Sequence, residues 1–182
     1  MSIPSGSHRL GPQNATLAVH TKRGGAAAKA GHDLTIHVTA WEGTLQVGED
    51  HAATSVELAA DATSLRVREG TGGMQALGDD DVANIHQTID DEVLERRDIR
   101  FRSSRVEHSP EGNRLTVAGE LALAGETRPI EFDLAIGEDG AIGGTAIVKQ
   151  TSWGMKPYSA LFGALKVRDE VEVVLASHGP LT

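Results

Sequence analysis

Histidine is the most chemically versatile residue type in this sequence, because its imidazole binds metal ions and transfers protons near neutral pH. The chain has eight histidines and no cysteine. It contains no His-x-His pair and no His-Glu-x-x-His motif, so no metal site is predicted. His32 precedes Asp33, but neighbouring side chains on a strand point to opposite faces. Three roles for His32 stay open: a structural hydrogen bond to the backbone, a hydrogen bond to a ligand head group, and acid–base catalysis.

Two further motifs have structural interpretations. The run Gly70-Thr71-Gly72-Gly73 lacks the Gly-Lys-Ser/Thr of a phosphate-binding loop. It is interpreted as a flexible connection. Arg96 and Arg97 follow a stretch rich in carboxylates, where they would pair with acidic side chains and with the dipole at a helix C-terminus. The sequence therefore predicts no cofactor.

An aromatic segment stands out because the whole chain has only two Trp, one Tyr and three Phe. Trp153, Tyr158 and Phe162 fall within ten residues of one another. Pro157 predicts a short helical turn, since its fixed φ suits the first helical position. Such a turn would place Tyr158, Leu161, Phe162 and Leu165 on one face. This apolar area either closes the core or lines a ligand tunnel, and both alternatives stay open.

The rest of the chain would position these residues on strands. Leu34, Ile36 and Val38 alternate with polar residues, and the same period of two returns around Phe101 and Phe132. Turn signals separate such segments at the spacing typical of a sandwich or barrel, and they predict about eight strands. Phe101 and Phe132 are expected to face the interior. The many Ala and Gly residues favour an interior with room for a guest.

One segment breaks the alternation. Between Asp79 and Arg97, apolar residues fall at three- and four-residue spacing, namely Val82, Ile85, Ile89 and Val93. This pattern predicts an amphipathic helix. Because the segment lies between two predicted strands, the helix is expected to cap the barrel.

Composition narrows the classes of function. The 26 acidic and 17 basic residues give a net charge of −9, which argues against a nucleic-acid partner. Without cysteine there is no disulfide framework or thiol catalysis. No run approaches the ~18 apolar residues of a membrane span, and the first residues do not resemble a secretory signal, so a cytoplasmic protein is expected. At 182 residues we expect one domain over residues 15–178, after a flexible tail at residues 1–14.

One hairpin carries a family resemblance. The pattern Gly119-x-Leu-x-Leu-x-Gly125-x-Thr-Arg-Pro129 resembles the central hairpin of the YceI-like family. The preceding strand Ile99–Ser103, the later run Ser152–Met155 and the early segment Gly31–Leu34 are similar to further landmarks of that family. The order and spacing agree from about Ala15 to His178. Arg97-Asp98 replaces the family's usual Tyr-Pro, and the first residues do not resemble the secretion signal that many members carry.

The resemblance implies an all-β fold, a lipocalin-like antiparallel β-barrel of about eight strands with one inserted α-helix capping the barrel. It implies a non-enzymatic carrier or storage protein for an elongated apolar ligand, such as a polyisoprenoid, a fatty acid or a related lipid. The expected ligand contacts are His32, Leu34, Trp41, Phe101, Phe132, Trp153, Tyr158 and Phe162.

Two alternatives to the carrier remain. One is a small barrel enzyme that acts on an apolar substrate with His32 as acid or base. The other is a filled barrel that serves as an interaction module. No metal, cofactor, nucleic acid or membrane span is expected, and a homodimer is one of the assemblies that stay open.

Overall fold

The structure, a computed structural model, describes residues 3–49 and 53–181. Its regular elements are β1 (Gly6–Leu10), β2 (Ala15–Thr21), β3 (Arg23–Gly24), β4 (His32–Val38), β5 (Trp41–Val47), β6 (Ser55–Ala60), β7 (Leu65–Gly72), α1 (Asp79–Thr88), β8 (Ile99–His108), β9 (Arg114–Leu123), β10 (Glu126–Ile136), β11 (Ile142–Lys149), β12 (Ser159–Ala160), β13 (Leu165–Val167) and β14 (Glu170–Ser177). The fold is therefore all-β with one principal helix.

Eleven strands form one antiparallel sheet in the order β1-β5-β6-β8-β9-β10-β11-β14-β2-β4-β7. Three pairs of these strands are halves of single bent segments. Only two residues separate β4 from β5, and short turns join β1 to β2 and β6 to β7. Because β1 and β2 both pair with the β4–β5 segment, the two ends of the strand order meet, and the sheet closes on itself.

The three bent segments, with β8, β9, β10, β11 and β14, give eight passes around a lipocalin-like barrel. The predicted fold class is confirmed, although the number of separate strands exceeds eight because each bend interrupts a ladder. One bend is fixed by Asp61, whose carboxylate accepts hydrogen bonds from the amide and the hydroxyl of Thr63, both at 2.8 Å. Sheet closure also leaves few strand edges unpaired, and unpaired edges promote aggregation.

The first strand lies inside the segment that was expected to be a tail. β1 pairs with β5 from Gly6 opposite Val47 to Leu10 opposite Gly43. The barrel therefore begins before residue 15. Residues 1 and 2 of the expected tail lie outside the described part of the chain.

The predicted helix is confirmed and covers an edge of the barrel. After α1 the chain makes a π-helical turn at Ile89–Val93, and the left-handed backbone of Glu95 and Arg96 ends the helix there. β7 has one strand neighbour, β4. On its other side, the Val67 amide donates to Nε2 of His86 on α1, at 3.0 Å. The helix thus provides an acceptor for the outer edge of β7.

The arginines after the helix form ion pairs with nearby carboxylates. Arg96 Nε lies 2.7 Å from Asp91 Oδ1, and Arg97 lies 3.2 Å from Glu95. This agrees with the interpretation of Arg96 and Arg97 as salt-bridged residues at a helix end.

The helical turn predicted after Pro157 is wrong. β12 and β13 pair with each other, β13 pairs with β3, and the intervening turn at Leu161–Gly163 has left-handed backbone at Leu161 and Phe162. The amide of Val167 donates to the carbonyl of Tyr158 at 3.0 Å. These cross-strand bonds hold the chain extended, and the single face expected for the aromatic side chains does not form.

One end of the barrel is filled with side chains. Leu115 and Val117 are completely buried, and Val47, Val106 and Ile136 are buried beside them. None of these five residues lines the cavity described below. This end is a packed core that supports the open part of the barrel.

Candidate ligand cavity

The barrel encloses a cavity of about 830 Å³. Its wall consists of inward-facing side chains of the main sheet, and its rim includes α1, the connection Met74–Leu77 and the small sheet of β3, β12 and β13. Ligand sites in proteins usually measure ~300–1,000 Å³. The cavity is therefore large enough to hold a small organic molecule.

The cavity wall is apolar because apolar and polar residues alternate along the strands and the apolar side chains face inward. On β4 the side chains of Leu34, Ile36 and Val38 line the cavity, as the period of two predicts. The other strands contribute further aliphatic residues, among them Leu17, Leu45, Leu134, Val148, Val171 and Leu175. The interior thus matches the chemistry of a hydrocarbon chain.

Small residues keep the interior open. Ala60, Gly144 and Ala146 all line the cavity. A Cβ atom at Gly144 would lie 2.9 Å from Leu134 Cδ2, closer than real Cβ contacts allow. The Cβ would also collide with the carbonyl oxygen of Asp133, so glycine at this position lets β11 lie this close to β10.

Two aromatic rings pack together in the wall. The ring centroids of Phe101 and Phe132 lie 5.3 Å apart, and the ring planes make an angle of 56°. Both residues line the cavity, which confirms that they face the interior. A tilted pair at this distance is a favourable aromatic arrangement.

Two buried polar atoms in the wall have no hydrogen-bond partner among the described residues. They are the indole Nε1 of Trp41 and the hydroxyl Oγ1 of Thr21. Both residues line the cavity. Buried polar groups are usually paired, and an unpaired one costs about 1–3 kcal/mol. Neighbouring wall atoms shield both groups from the cavity, so a ligand atom would pair with either one only after a side chain moves.

His32 lines the cavity and also supports its rim. Its Nε2 lies 2.7 Å from the carbonyl oxygen of Gln75. A carbonyl only accepts, so Nε2 carries a proton and donates it to Gln75. The ring therefore ties the connection after β7 to the start of β4.

The neighbouring carboxylate does not join His32. Asp33 Oδ1 accepts from the amide of Arg23 at 2.9 Å, and Oδ2 lies 3.7 Å from Lys22 Nζ. Asp33 does not line the cavity. His32 and Asp33 thus do not form a pair that acts on one bound molecule.

The rim is polar and partly exposed. Arg23, Asp81, Asn84 and Lys166 contribute to it. Tyr158 also lines the rim, with 45% of its surface exposed. Thr44, Glu57 and Gln150 are further polar residues of the lining.

Six of the eight predicted contact residues line the cavity: His32, Leu34, Trp41, Phe101, Phe132 and Tyr158. The other two lie elsewhere. Trp153 is buried, and its Nε1 donates to the carbonyl of Leu121 at 2.9 Å, away from the cavity lining. Phe162 is fully exposed, because the left-handed turn directs it away from the barrel.

Sequence reasoning weighted aromatic residues and missed much of the aliphatic wall. Met155, Val148 and Val173 line the cavity although they were not among the predicted contacts. Alternation along β11 and β14 was the available signal for the two valines. Ile85 and Ile89 of the helical segment also line the cavity, and their three- and four-residue spacing was the signal for that face.

Burial and nearby charge alter one histidine of the helix. Burial, together with the positive charge of Arg66, lowers the pKa of His86, while Asp90 opposes this shift. The neutral ring is the form that accepts the hydrogen bond from Val67. The contact between α1 and β7 therefore depends on an unprotonated His86.

The described residues lack two features that mark other classes of protein. Within residues 3–49 and 53–181, no group of three His, Asp or Glu side chains converges as a metal site. Over the same ranges, no helix has the length and apolar character needed to cross a membrane.

Comparisons with known proteins agree with the observed fold. A family model described as the YceI-like domain matches residues 12–177. The crystal structure of BcnA from Burkholderia cenocepacia is similar with a TM-score of 0.64 and 15% identity, over 90% of this chain and 94% of that chain. A YceI protein from Campylobacter jejuni is similar with a TM-score of 0.50 and 14% identity, over 81% and 84% of the two chains. No curated protein sequence matches this chain. At these identities the solved structures support the fold alone.

Proposed function

Because the chain belongs to the YceI-like family, whose model spans residues 12–177, we propose that it binds an elongated apolar ligand inside its barrel. The ligand class is a polyisoprenoid, a fatty acid or a related lipid, and the protein acts as a carrier or store. The observation that carries this proposal is the apolar cavity of about 830 Å³.

The energetics favour a long ligand. Burial of one methylene contributes about 0.8 kcal/mol, so ten buried methylenes contribute about 8 kcal/mol. Association costs about 4–15 kcal/mol before any net affinity appears. A short molecule therefore gains little, whereas a chain that fills the cavity gains enough to be held.

The contacts of such a ligand divide by position. Leu34, Trp41, Phe101 and Phe132 would pack against the hydrocarbon chain, and all four line the cavity. His32 and Tyr158, closer to the polar rim, would orient the head group. Once a neighbouring side chain moves, Trp41 Nε1 would donate to an oxygen of the ligand, since it has no partner among the described protein atoms.

The arrangement favours binding without catalysis. His32 Nε2 is engaged by the carbonyl of Gln75, and Asp33 by Arg23 and Lys22. His32 and Asp33 therefore do not form an acid–base pair in the cavity, which counts against an enzyme that uses His32 as acid or base. The open interior argues against the filled interaction module.

The first test is native mass spectrometry of the purified protein, followed by organic extraction and identification of what co-purified. Protein stripped of lipid is then titrated with prenyl and acyl probes. A stoichiometric, chemically unchanged apolar molecule supports the proposal. A protein that carries none and takes up neither probe overturns it in favour of the interaction module, and conversion of a probe favours the enzyme.

A pair of variants on one strand tests the location of binding. Ala146 lines the cavity and the adjacent Thr145 is exposed on the opposite face of β11. Ala146→Phe should occupy the interior and abolish uptake of the longest probes, while Thr145→Phe should leave uptake unchanged. Equal affinities in the two variants would place the ligand outside the barrel.

A further inference from the structure

The lysines of this chain are confined to two short segments of the sequence. All five, Lys22, Lys29, Lys149, Lys156 and Lys166, fall in residues 22–30 and 149–168, together with Arg23 and Arg168. Neither segment contains an aspartate or a glutamate, although the chain as a whole has a charge of −9. We name the surface formed by these two segments the basic rim.

The fold brings the two segments of the basic rim together. Lys166 on β13 lies opposite Gly24 on β3. The amide of Arg168 donates to the carbonyl of Lys22, and that of Ala27 to the carbonyl of Ala164, both at 2.8 Å. The cations are therefore spread over one continuous surface beside the mouth of the cavity.

Much of this positive charge is uncompensated. Within the described residues, no carboxylate lies within salt-bridge distance of Lys29, Lys156, Lys166 or Arg168, and all four are exposed. Among the described residues of the basic rim, Lys22 and Arg23 pair with Asp33, and the carboxylate of Asp169, which is bonded to Thr151, lies close enough to Lys149 to interact with its charge. The basic rim thus presents cations that are available to an external anion.

An apolar tip projects from the same surface. Leu161 is 61% exposed and Phe162 is fully exposed, on a turn between β12 and β13. The amide of Ala164 donates to the carbonyl of Leu161 at 3.1 Å and holds the turn closed. Exposed apolar side chains surrounded by cations are the composition of surfaces that lie at the boundary between lipid head groups and acyl chains.

We propose that the basic rim docks on a bilayer that contains anionic lipids. Leu161 and Phe162 enter the head-group boundary, and the surrounding cations contact the lipid anions. The carboxylates at the start of α1, Asp79, Asp80 and Asp81, are repelled by such a surface, so the side of the mouth formed by β3 and β13 lies closer to the lipid than the side formed by α1. Tyr158 and Lys166 belong both to the basic rim and to the cavity lining, so docking brings the mouth to the membrane.

This docking goes beyond the proposed function, and its test does not depend on a bound ligand. Protein stripped of lipid is sedimented with vesicles of phosphatidylcholine alone or of phosphatidylcholine with phosphatidylglycerol. We expect binding only to the vesicles with phosphatidylglycerol, and weaker binding as salt is raised. Equal binding to both vesicle types, or to neither, overturns the proposal, whatever the outcome of the ligand titration.

Matched variants distinguish the contribution of the apolar tip from non-specific hydrophobic binding to vesicles. Phe162→Ser should weaken vesicle binding by at least about tenfold, since a buried aromatic side chain contributes about 1.5–3 kcal/mol, which corresponds to about 13-fold or more. Ile147 is 51% exposed on β11, outside the basic rim, and Ile147→Ser should leave binding unchanged. Equal effects of the two substitutions overturn the proposal, as does the absence of any effect of Phe162→Ser.

The contribution of charge is tested in the same assay. Lys156→Gln and Lys166→Gln should each weaken binding about fivefold, the equivalent of about 1 kcal/mol per cation at an anionic surface. Arg105→Gln and Arg114→Gln, on the outer faces of β8 and β9, serve as controls. If the controls weaken binding equally, the basic rim is not the docking surface. The alternative occupant of this surface is a second copy of the chain, which sedimentation velocity would detect. A dimer that Phe162→Ser abolishes, in a protein that does not bind vesicles, overturns the proposal.

Discussion

Trp41→Phe is the substitution that most sharply tests how the cavity recognises a ligand. The indole Nε1 of Trp41 is buried in the wall and has no hydrogen-bond partner among the described residues. Phenylalanine removes this donor and keeps an aromatic ring. A ligand oxygen that accepts from Nε1 would lose one hydrogen bond, worth about 0.5–1.5 kcal/mol. The affinity for such a ligand should therefore fall about 2- to 12-fold.

The substitution also trims packing area, so the hydrogen bond must be isolated by a second comparison. Two probes with equal chain length are used, a long-chain methyl ester and the corresponding alkane, each in competition with a fluorescent fatty acid. Both lose the same packing against residue 41, and only the ester loses a donor. The ratio of the two affinities should change by about 2- to 12-fold. An unchanged ratio would refute the assignment of Nε1 as the ligand's donor.

The other tryptophan of the chain is the matched control. Trp153 Nε1 already donates to the carbonyl of Leu121 at 2.9 Å, and Trp153 does not line the cavity. Trp153→Phe should lower the free energy of unfolding, because that bond is lost, and should leave the affinity ratio of the probes unchanged. A change in the ratio for Trp153→Phe would mean that the assay reports general loosening of the barrel.

Three further predictions concern stability, each measured by chemical denaturation. Because the pKa of His86 is lowered in the folded protein, its contribution to the free energy of unfolding is complete above the unfolded pKa of about 6.5 and is lost as pH falls through the folded pKa. The difference in unfolding free energy between wild type and His86→Ala should therefore be larger at pH 8 than at pH 5, and a constant difference would contradict this. Hydrogen bonds from Thr151 lower the pKa of Asp169, so Asp169→Asn should destabilise the protein at neutral pH and progressively less below about pH 4. A difference in unfolding free energy between wild type and variant that does not change in acid would contradict this prediction. Leu115→Ala, in the filled end, should cost about 2–5 kcal/mol with unchanged probe affinity, and a large loss of affinity would show that the filled end contacts the ligand.

The sequence predicted features that depend on local periodicity. The alternation of Leu34, Ile36 and Val38 placed these side chains on the inner face of β4, where the structure has them. The three- and four-residue spacing after Asp79 predicted the helix. In both cases one face of an element is buried, and the pattern along the chain records which face it is.

Features that depend on distant partners could not be predicted. The segment that follows Pro157 pairs through β12 with β13, and β13 in turn pairs with Arg23 and Gly24, which are remote in sequence. The environments of Trp153 and Phe162 follow from that pairing and from the carbonyl of Leu121. The hollow interior depends on the sum of all inward side-chain volumes, and no single motif records that sum.

The pairing that closes the barrel also sets the order in which it can form. β14 lies beside β2, with Val173 opposite Val19 and Leu175 opposite Leu17. These strands are separated by nearly the whole domain, and contacts of such long range form late and slowly in folding. During synthesis on the ribosome, every earlier strand emerges before the cavity has a complete wall. Until β14 pairs with β2, the inward faces of the other strands form an open trough, and the arrival of β14 completes the cavity wall.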